Sequence, residues 1–307
     1  MSDRTHPSDL PARLAAGDIL LLDAAMGTDL DRRGLITTLP LWSARGVLER
    51  PDLVRQIHVD NLRAGADIII TNTFRTTGRT LDTAGLDPAR AAELDAIAVR
   101  AAQDARVEAG RPDALIAGSI APLEDCYSPE LMPPPVAALA EHRTQARSLA
   151  AAGVDFIMVE TIPGISEAVI ALRAARETGL PVTVGFVCAP ALEGGVPALI
   201  SGESLADAVA AVLPLGPAAL LVNCAGSSVI AAALQELARV TDLPTGGYAN
   251  SGIVDDVRGW EPDAEMSGAV FATGARSWLE AGARMIGGCC GTGPEHTAAL
   301  RTLIDAR

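Results

Sequence analysis

The 307-residue sequence predicts a single (β/α)8 TIM barrel covering residues 1–307 as one domain, and three observations carry that reading. Short β-type runs alternate with alanine- and leucine-rich stretches of helical spacing along the whole chain. Eight such runs occur, the number a closed parallel barrel requires. The stretch after the first run, Asp23-Ala24-Ala25-Met26-Gly27-Thr28, lacks the phosphate-binding glycine fingerprint that an open doubly wound sheet places there.

In chain order the predicted strands are Ile19–Ala24, Asp67–Thr71, Leu115–Gly118, Phe156–Glu160, Val182–Val187, Ala219–Asn223, Thr245–Tyr248 and Arg284–Gly287. Between the first two, Pro51 opens a helix on which Leu53, Val54, Ile57 and Leu62 recur at helical spacing, and Ala64-Gly65-Ala66 stops it. The same stop recurs as Ala152-Gly153-Val154 and Ala281-Gly282-Ala283, each just ahead of a strand, as expected where a helix ends on a left-handed glycine. Two connections are long, a proline-rich one over 121–136 and another over 251–265; both are read as rim loops of the kind that serve as lids.

Composition narrows the function. Half the residues (49%) are hydrophobic, yet no apolar run approaches the roughly 20 residues of a membrane span. Met1 to Asp18 is polar and has no signal-peptide core, so a cytoplasmic protein is expected. A formal charge of −14 removes the basic face that nucleic acid or an anionic membrane needs. Five cysteines, an odd number in a long chain, read as reduced thiols rather than a disulfide framework. The sequence fixes no oligomeric state.

A barrel of this kind works at the C-terminal ends of its strands. There stand Asp23, Thr71-Asn72-Thr73, Ser119, Glu160-Thr161, Asn223-Cys224, Asn250 and Cys289-Cys290. Thiolates are soft zinc ligands, and three of them leave one coordination position open, as catalytic zinc does. Neighbours in a regular strand point to opposite faces, so Cys289 and Cys290 can share one ion only if the backbone leaves strand geometry, which the flanking glycines permit. Cys188 also ends a strand and Cys126 lies in the proline-rich loop; neither is assigned a role. On residue type alone the cysteines could instead be a redox pair or inert thiols, and Asp23 could cap a turn. Glu160, after an apolar run, needs a partner if buried. Thr73 and Asn250 could simply satisfy loop backbone. Trp42, Phe74, Tyr127 and Tyr248 could line an onium pocket through cation–π contact, or merely pack. His58 and His296, at helical positions, read as structural.

Gly287–Thr292 together with Asn223-Cys224 resembles the zinc signature of the homocysteine S-methyltransferase family. Asp23–Thr28, Thr71-Asn72-Thr73-Phe74, Val159-Glu160-Thr161 and Tyr248–Gly252 are similar to further family segments in the same order, and Leu41-Trp42-Ser43 resembles the bacterial and plant branch that uses S-methylmethionine. The resemblance implies Zn2+ on Cys224, Cys289 and Cys290, with the homocysteine thiol in the open position and methionine as product. It implies that Asp23 and Glu160 hold the substrate ammonium, that backbone amides near Ala25, Met26, Gly27 and Thr73 hold its carboxylate, and that Asn223 is a further substrate-binding residue. A possible donor pocket comprises Trp42, Phe74, Tyr248 and Asn250. S-methylmethionine is the first expected methyl donor and S-adenosylmethionine the second; betaine is disfavoured because Thr161 stands where an aromatic would enclose a trimethylammonium. The chain ends soon after the cysteine pair and is expected to lack folate and cobalamin modules. A separate corrinoid protein as donor, or a non-catalytic zinc-binding barrel, are the alternatives. Ala24 for the usual glycine, Ser119–Leu123 for a Gly-Ser-Val/Ile-Gly-Pro-Tyr-Gly pattern and Ala249 for a common proline depart from the family and bear on the acceptor and donor pockets.

Overall fold

The computed structural model describes residues 9–190, 195–255, 259–262 and 266–307. Its main sheet has eight parallel strands: β1 (Leu20–Leu21), β2 (Ile68–Ile70), β3 (Leu115–Ile120), β4 (Phe156–Ile162), β5 (Val182–Phe186), β6 (Ala219–Gly226), β7 (Thr245–Asn250) and β8 (Met285–Gly288). Neighbours pair in chain order, and β8 pairs back to β1 with Leu20 opposite Met285. A parallel bridge from Leu22 to Ile68 closes the ring between β1 and β2. One long helix follows each strand: α1 (Pro51–Arg63), α2 (Ala91–Glu108), α3 (Pro135–Ala152), α4 (Ile165–Arg176), α5 (Leu205–Val212), α6 (Ser227–Val240), α7 (Gly268–Glu280) and α8 (Pro294–Asp305). This is the (β/α)8 barrel that the alternation predicts.

The strand runs are apolar throughout because both faces are covered. Leu20, Leu22, Ile68, Leu115, Ala117, Phe156, Met158, Ala219, Leu221 and Met285 fill the barrel interior, where Leu10 and Leu14 of the short helix Leu10–Ala15 join them. The alternate residues Leu21, Ile69, Ile116, Ile157, Val159, Leu220 and Val222 belong to the larger core between sheet and helices. Continuing that period of two up each strand brings Ser119, Glu160, Asn223 and Tyr248 to the inner face at the top of the barrel. The three alanine–glycine stops behave alike: Gly65, Gly153 and Gly282 have φ of +107°, +89° and +90°, a conformation that disfavours any side chain.

Five strands run past their predicted ends, to Ile120, Ile162, Gly226, Asn250 and Gly288. Hydrophobicity marked where the apolar run stops, but the ladder to neighbouring strands continues through the polar residues that follow. Of the long connections, 121–136 carries a single 3-10 turn at Pro129–Leu131 before α3 opens at Pro135. The other is not an irregular loop: Gly252–Asp255 pairs antiparallel with Gly259–Pro262, while 256–258 and 263–265 lie outside the described residues. A further pair, Cys188–Ala189 with Ala198–Leu199, follows β5 and holds Cys188, buried, away from the cysteine triad. No described helix is long and apolar enough to cross a membrane.

Candidate active site

Three cysteines converge because two strands break their geometry. Along β6 the pairing with β7 shifts register between Asn223 and Gly226, and Cys224 takes φ +57°, a conformation costing a side-chain-bearing residue about 1–3 kcal/mol. β8 stops at Gly288, so Cys289 and Cys290 lie in the turn beyond it, where Gly291 has φ +81° and the Thr292 amide donates to the Cys289 carbonyl at 3.1 Å. A Cβ on Gly287 would stand 2.6 Å from the Leu22 Cβ, and one on Gly288 would strike the Thr292 side chain, so only glycine lets this turn close onto β1. The three Sγ atoms lie within 4.8 Å of one another and form a group able to hold a metal ion.

The surrounding donors favour negative charge on this cluster. The Tyr127 hydroxyl lies 3.3 Å from Cys224 Sγ and donates to the Cys224 carbonyl at 3.2 Å. Hydrogen bonds from Cys289 and Cys290, then from Tyr127 and Asn250, hold the Cys224 thiol well below the usual range; Cys289 and Cys290 are pushed up by donating to that same sulfur. Hydrogen bonding within the cluster thus concentrates negative charge on the Cys224 sulfur, and a bound cation would favour ionisation of all three. The donor set fits a soft or borderline metal. Asn250 also accepts from the Cys290 amide at 3.1 Å, which fixes the turn against β7.

Beside the sulfurs lie two buried carboxylates. Glu160 accepts from the Ser119 hydroxyl at 2.5 Å and from the Tyr248 hydroxyl at 2.7 Å. Burial pushes Glu160 up to about 7, and the nearby charges of Cys224 and Asp23 add to the rise. Asp23, 4% exposed, accepts from the Ile70 amide at 3.0 Å through Oδ2 and is likewise raised by burial. Two desolvated, mutually repelling carboxylates next to thiolates make a site whose natural complement is a cation.

The other sequence-predicted residues divide between lining and bracing. Asn223 accepts from the Thr161 amide at 3.0 Å and donates to the Thr161 hydroxyl at 2.7 Å, holding Thr161 at φ +59° where β4 itself shifts register. Thr73 is fully buried; its hydroxyl donates to the Ser119 carbonyl at 2.8 Å and its amide to the Thr71 carbonyl. The Ala25 amide donates to the Thr292 hydroxyl at 3.2 Å, and that hydroxyl donates to the Cys289 carbonyl at 2.6 Å. Met26 and Gly27 head the short helix Gly27–Arg32, and the Trp42 indole covers Gly27 so closely that a Cβ there would stand 2.7 Å from it. Trp42 (φ +43°) meets Phe74 edge-on, with ring centroids 5.7 Å apart. Tyr248, also proposed for the donor side, is buried against Met158 and Glu160. Asn61 and Thr292 carry contacts that residue type did not single out, while Tyr127, read for an onium pocket, meets Cys224 and the rim residue Ser119 meets Glu160. Cys126 is buried beside Tyr127, and burial is the main cause that pushes its thiol up.

This geometry can be set beside known proteins. The family model described as homocysteine S-methyltransferase matches residues 20–304. The chain is 36% identical over 306 residues to a homocysteine S-methyltransferase of Escherichia coli strain K12, covering 95% of this chain and 97% of that protein. It is 32% identical over 297 residues to homocysteine S-methyltransferase YbgG of Bacillus subtilis strain 168, covering 91% and 92%. The crystal structure of the homocysteine methyltransferase MmuM from Escherichia coli in its metallated form superposes with a TM-score of 0.79 at 33% identity, over 95% of this chain and 99% of that one. With the family model spanning the barrel from β1 to α8, the chain belongs to the homocysteine S-methyltransferase family.

Proposed function

We propose that this protein moves a methyl group from a small sulfonium donor, S-methylmethionine first and S-adenosylmethionine second, to the thiol of homocysteine, with Zn2+ held by Cys224, Cys289 and Cys290. The observation that carries the reading is three cysteine sulfurs within 4.8 Å of one another beside two buried carboxylates. Relatives named for homocysteine methylation and a metallated neighbour support it. When bound, the ion supplies a position that favours the thiolate form of the acceptor near neutral pH.

The chain's own residues do the rest. Asp23 and Glu160 bind the acceptor's ammonium as charge-assisted partners, with Glu160 oriented by the Ser119 and Tyr248 hydroxyls. The Ala25 and Thr73 amides are engaged by Thr292 and Thr71, so the head of the short helix, at Met26 and Gly27, is the proposed carboxylate contact. Trp42 and Phe74 face the donor and offer ring surface to its positive sulfur, with Asn250 fixing the Cys290 turn beneath. A carbon–sulfur bond forms to the acceptor sulfur as the donor's breaks, and the electron pair leaves with a neutral thioether. No general base is needed once the acceptor is a thiolate. A cytoplasmic, single-domain enzyme fits this reading.

The test is turnover of zinc-loaded protein with homocysteine and a donor panel. S-methylmethionine should give two methionines per transfer. Activity only after adding a corrinoid methyl carrier would overturn the sulfonium assignment, and zinc and homocysteine binding without turnover on any donor would mark a non-catalytic barrel.

A further inference from the structure

His58 lies fully buried on α1, and neither ring nitrogen has a hydrogen-bond partner among the described residues. Buried polar groups are nearly always satisfied, because leaving one unpaired costs about 1–3 kcal/mol. The group it faces is Asp23: His58 Nδ1 stands 3.6 Å from Asp23 Oδ2, just beyond bonding distance. Three residues along the same helix face, Asn61 accepts from the Ala24 amide at 3.2 Å and from the Thr297 hydroxyl at 2.8 Å. One face of α1 therefore addresses both Asp23 and Ala24, the first residues of the turn after β1. The Ile70 amide already holds Asp23 Oδ2, the same oxygen that His58 faces. Glu160 has both oxygens engaged by hydroxyls, whereas among the described residues the Ile70 amide and His58 both address Asp23 at Oδ2.

From this arrangement we infer that His58 is a positioning residue for the acceptor amine: it donates Nδ1–H to Asp23 Oδ2, holding the carboxylate with Oδ1 toward the substrate ammonium. The contact shortens by a few tenths of an ångström when the ammonium draws Asp23 into place, and the orphaned imidazole gains its partner. His58 touches no reacting atom and acts through Asp23. The inference rests on the homocysteine reading.

The experiment uses full-length zinc-loaded protein and measures homocysteine KM, kcat, zinc content and melting temperature for three His58 variants, Asp23→Asn and the double variant Asp23→Asn/His58→Leu. His58→Leu should raise KM about tenfold or more, the loss of one charge-assisted hydrogen bond, with kcat at saturation and zinc content little changed. His58→Asn, whose Nδ2 falls near the place of Nδ1, should recover most of that loss; His58→Gln, which mimics Nε2, should not. In an Asp23→Asn background His58→Leu should add little, because the group it positions is already neutral. An unchanged KM in His58→Leu, equal values for the asparagine and glutamine variants, or the same loss with and without Asp23 would each overturn the inference. Should the leucine variant fail to fold, the asparagine–glutamine contrast still decides. Failure of the wild type to methylate homocysteine would instead strike the functional reading itself.

Discussion

Cys289 is held on every side: its amide donates to the Ala249 carbonyl at 2.7 Å, its carbonyl accepts from the Thr292 hydroxyl, and its sulfur is one of the converging three. Cys289→Ser keeps the backbone contacts and removes the soft donor, so it should release zinc and abolish transfer while far-UV circular dichroism stays that of the wild type. Full activity in that variant would count against the metal site. Glu160 gives a pH prediction. Its carboxyl is raised by burial to about 7 in the folded chain from 4.5, so the folded state binds its proton more tightly and this contribution to stability is lost as pH rises through that window. Glu160→Gln should therefore gain on the wild type in unfolding free energy by up to about 3 kcal/mol between pH 4.5 and 8, while losing homocysteine affinity. A gap that does not change with pH would contradict the cause assigned. The cysteines and Glu160 were legible in the sequence because residue type and strand-end position agree. The role of Tyr127 was not: its type suggests an onium pocket, whereas its hydroxyl reaches Cys224 from a loop whose path depends on tertiary contacts such as Arg75 Nη1 on the Glu124 carbonyl at 3.0 Å.

The loop after β8 and the turn after β1 form one unit. Thr292 joins them by accepting from Ala25 and donating to Cys289, and Arg32 reinforces the join by donating to the carbonyls of Gly291 and Thr292 at 3.1 and 2.6 Å. Thr292→Val keeps the volume and deletes the hydroxyl, so it should cost about 1–3 kcal/mol of stability and raise homocysteine KM together. A change in stability alone would show that this bridge is only structural. The strands themselves were readable from their apolar runs and glycine stops, since both are local signals. The register shifts at Thr161 and Cys224 were not, because each is sustained from across the barrel: Asn223 holds the first, and the sulfurs with Tyr127 surround the second. The Gly252–Asp255 hairpin escaped notice for a related reason, its strands being too short for a period-two pattern to show.

Across the whole molecule, folding is expected to be separable from the proposed metal binding. The barrel interior and the layer between sheet and helices are large apolar cores, against which Cys289 of the three packs only at the margin, unlike small domains that fold only around zinc. Chelation should accordingly lower the melting temperature, since the ion binds only the folded chain, yet leave secondary structure intact. Loss of far-UV signal on chelation at 25 °C would contradict this. The central claim is that an amino-acid thiol completes the three-cysteine site. Zinc-edge X-ray absorption before and after adding homocysteine tests it most directly. The account predicts three sulfur neighbours in the zinc-loaded protein and four with homocysteine bound; a sulfur count unchanged by saturating homocysteine would contradict it.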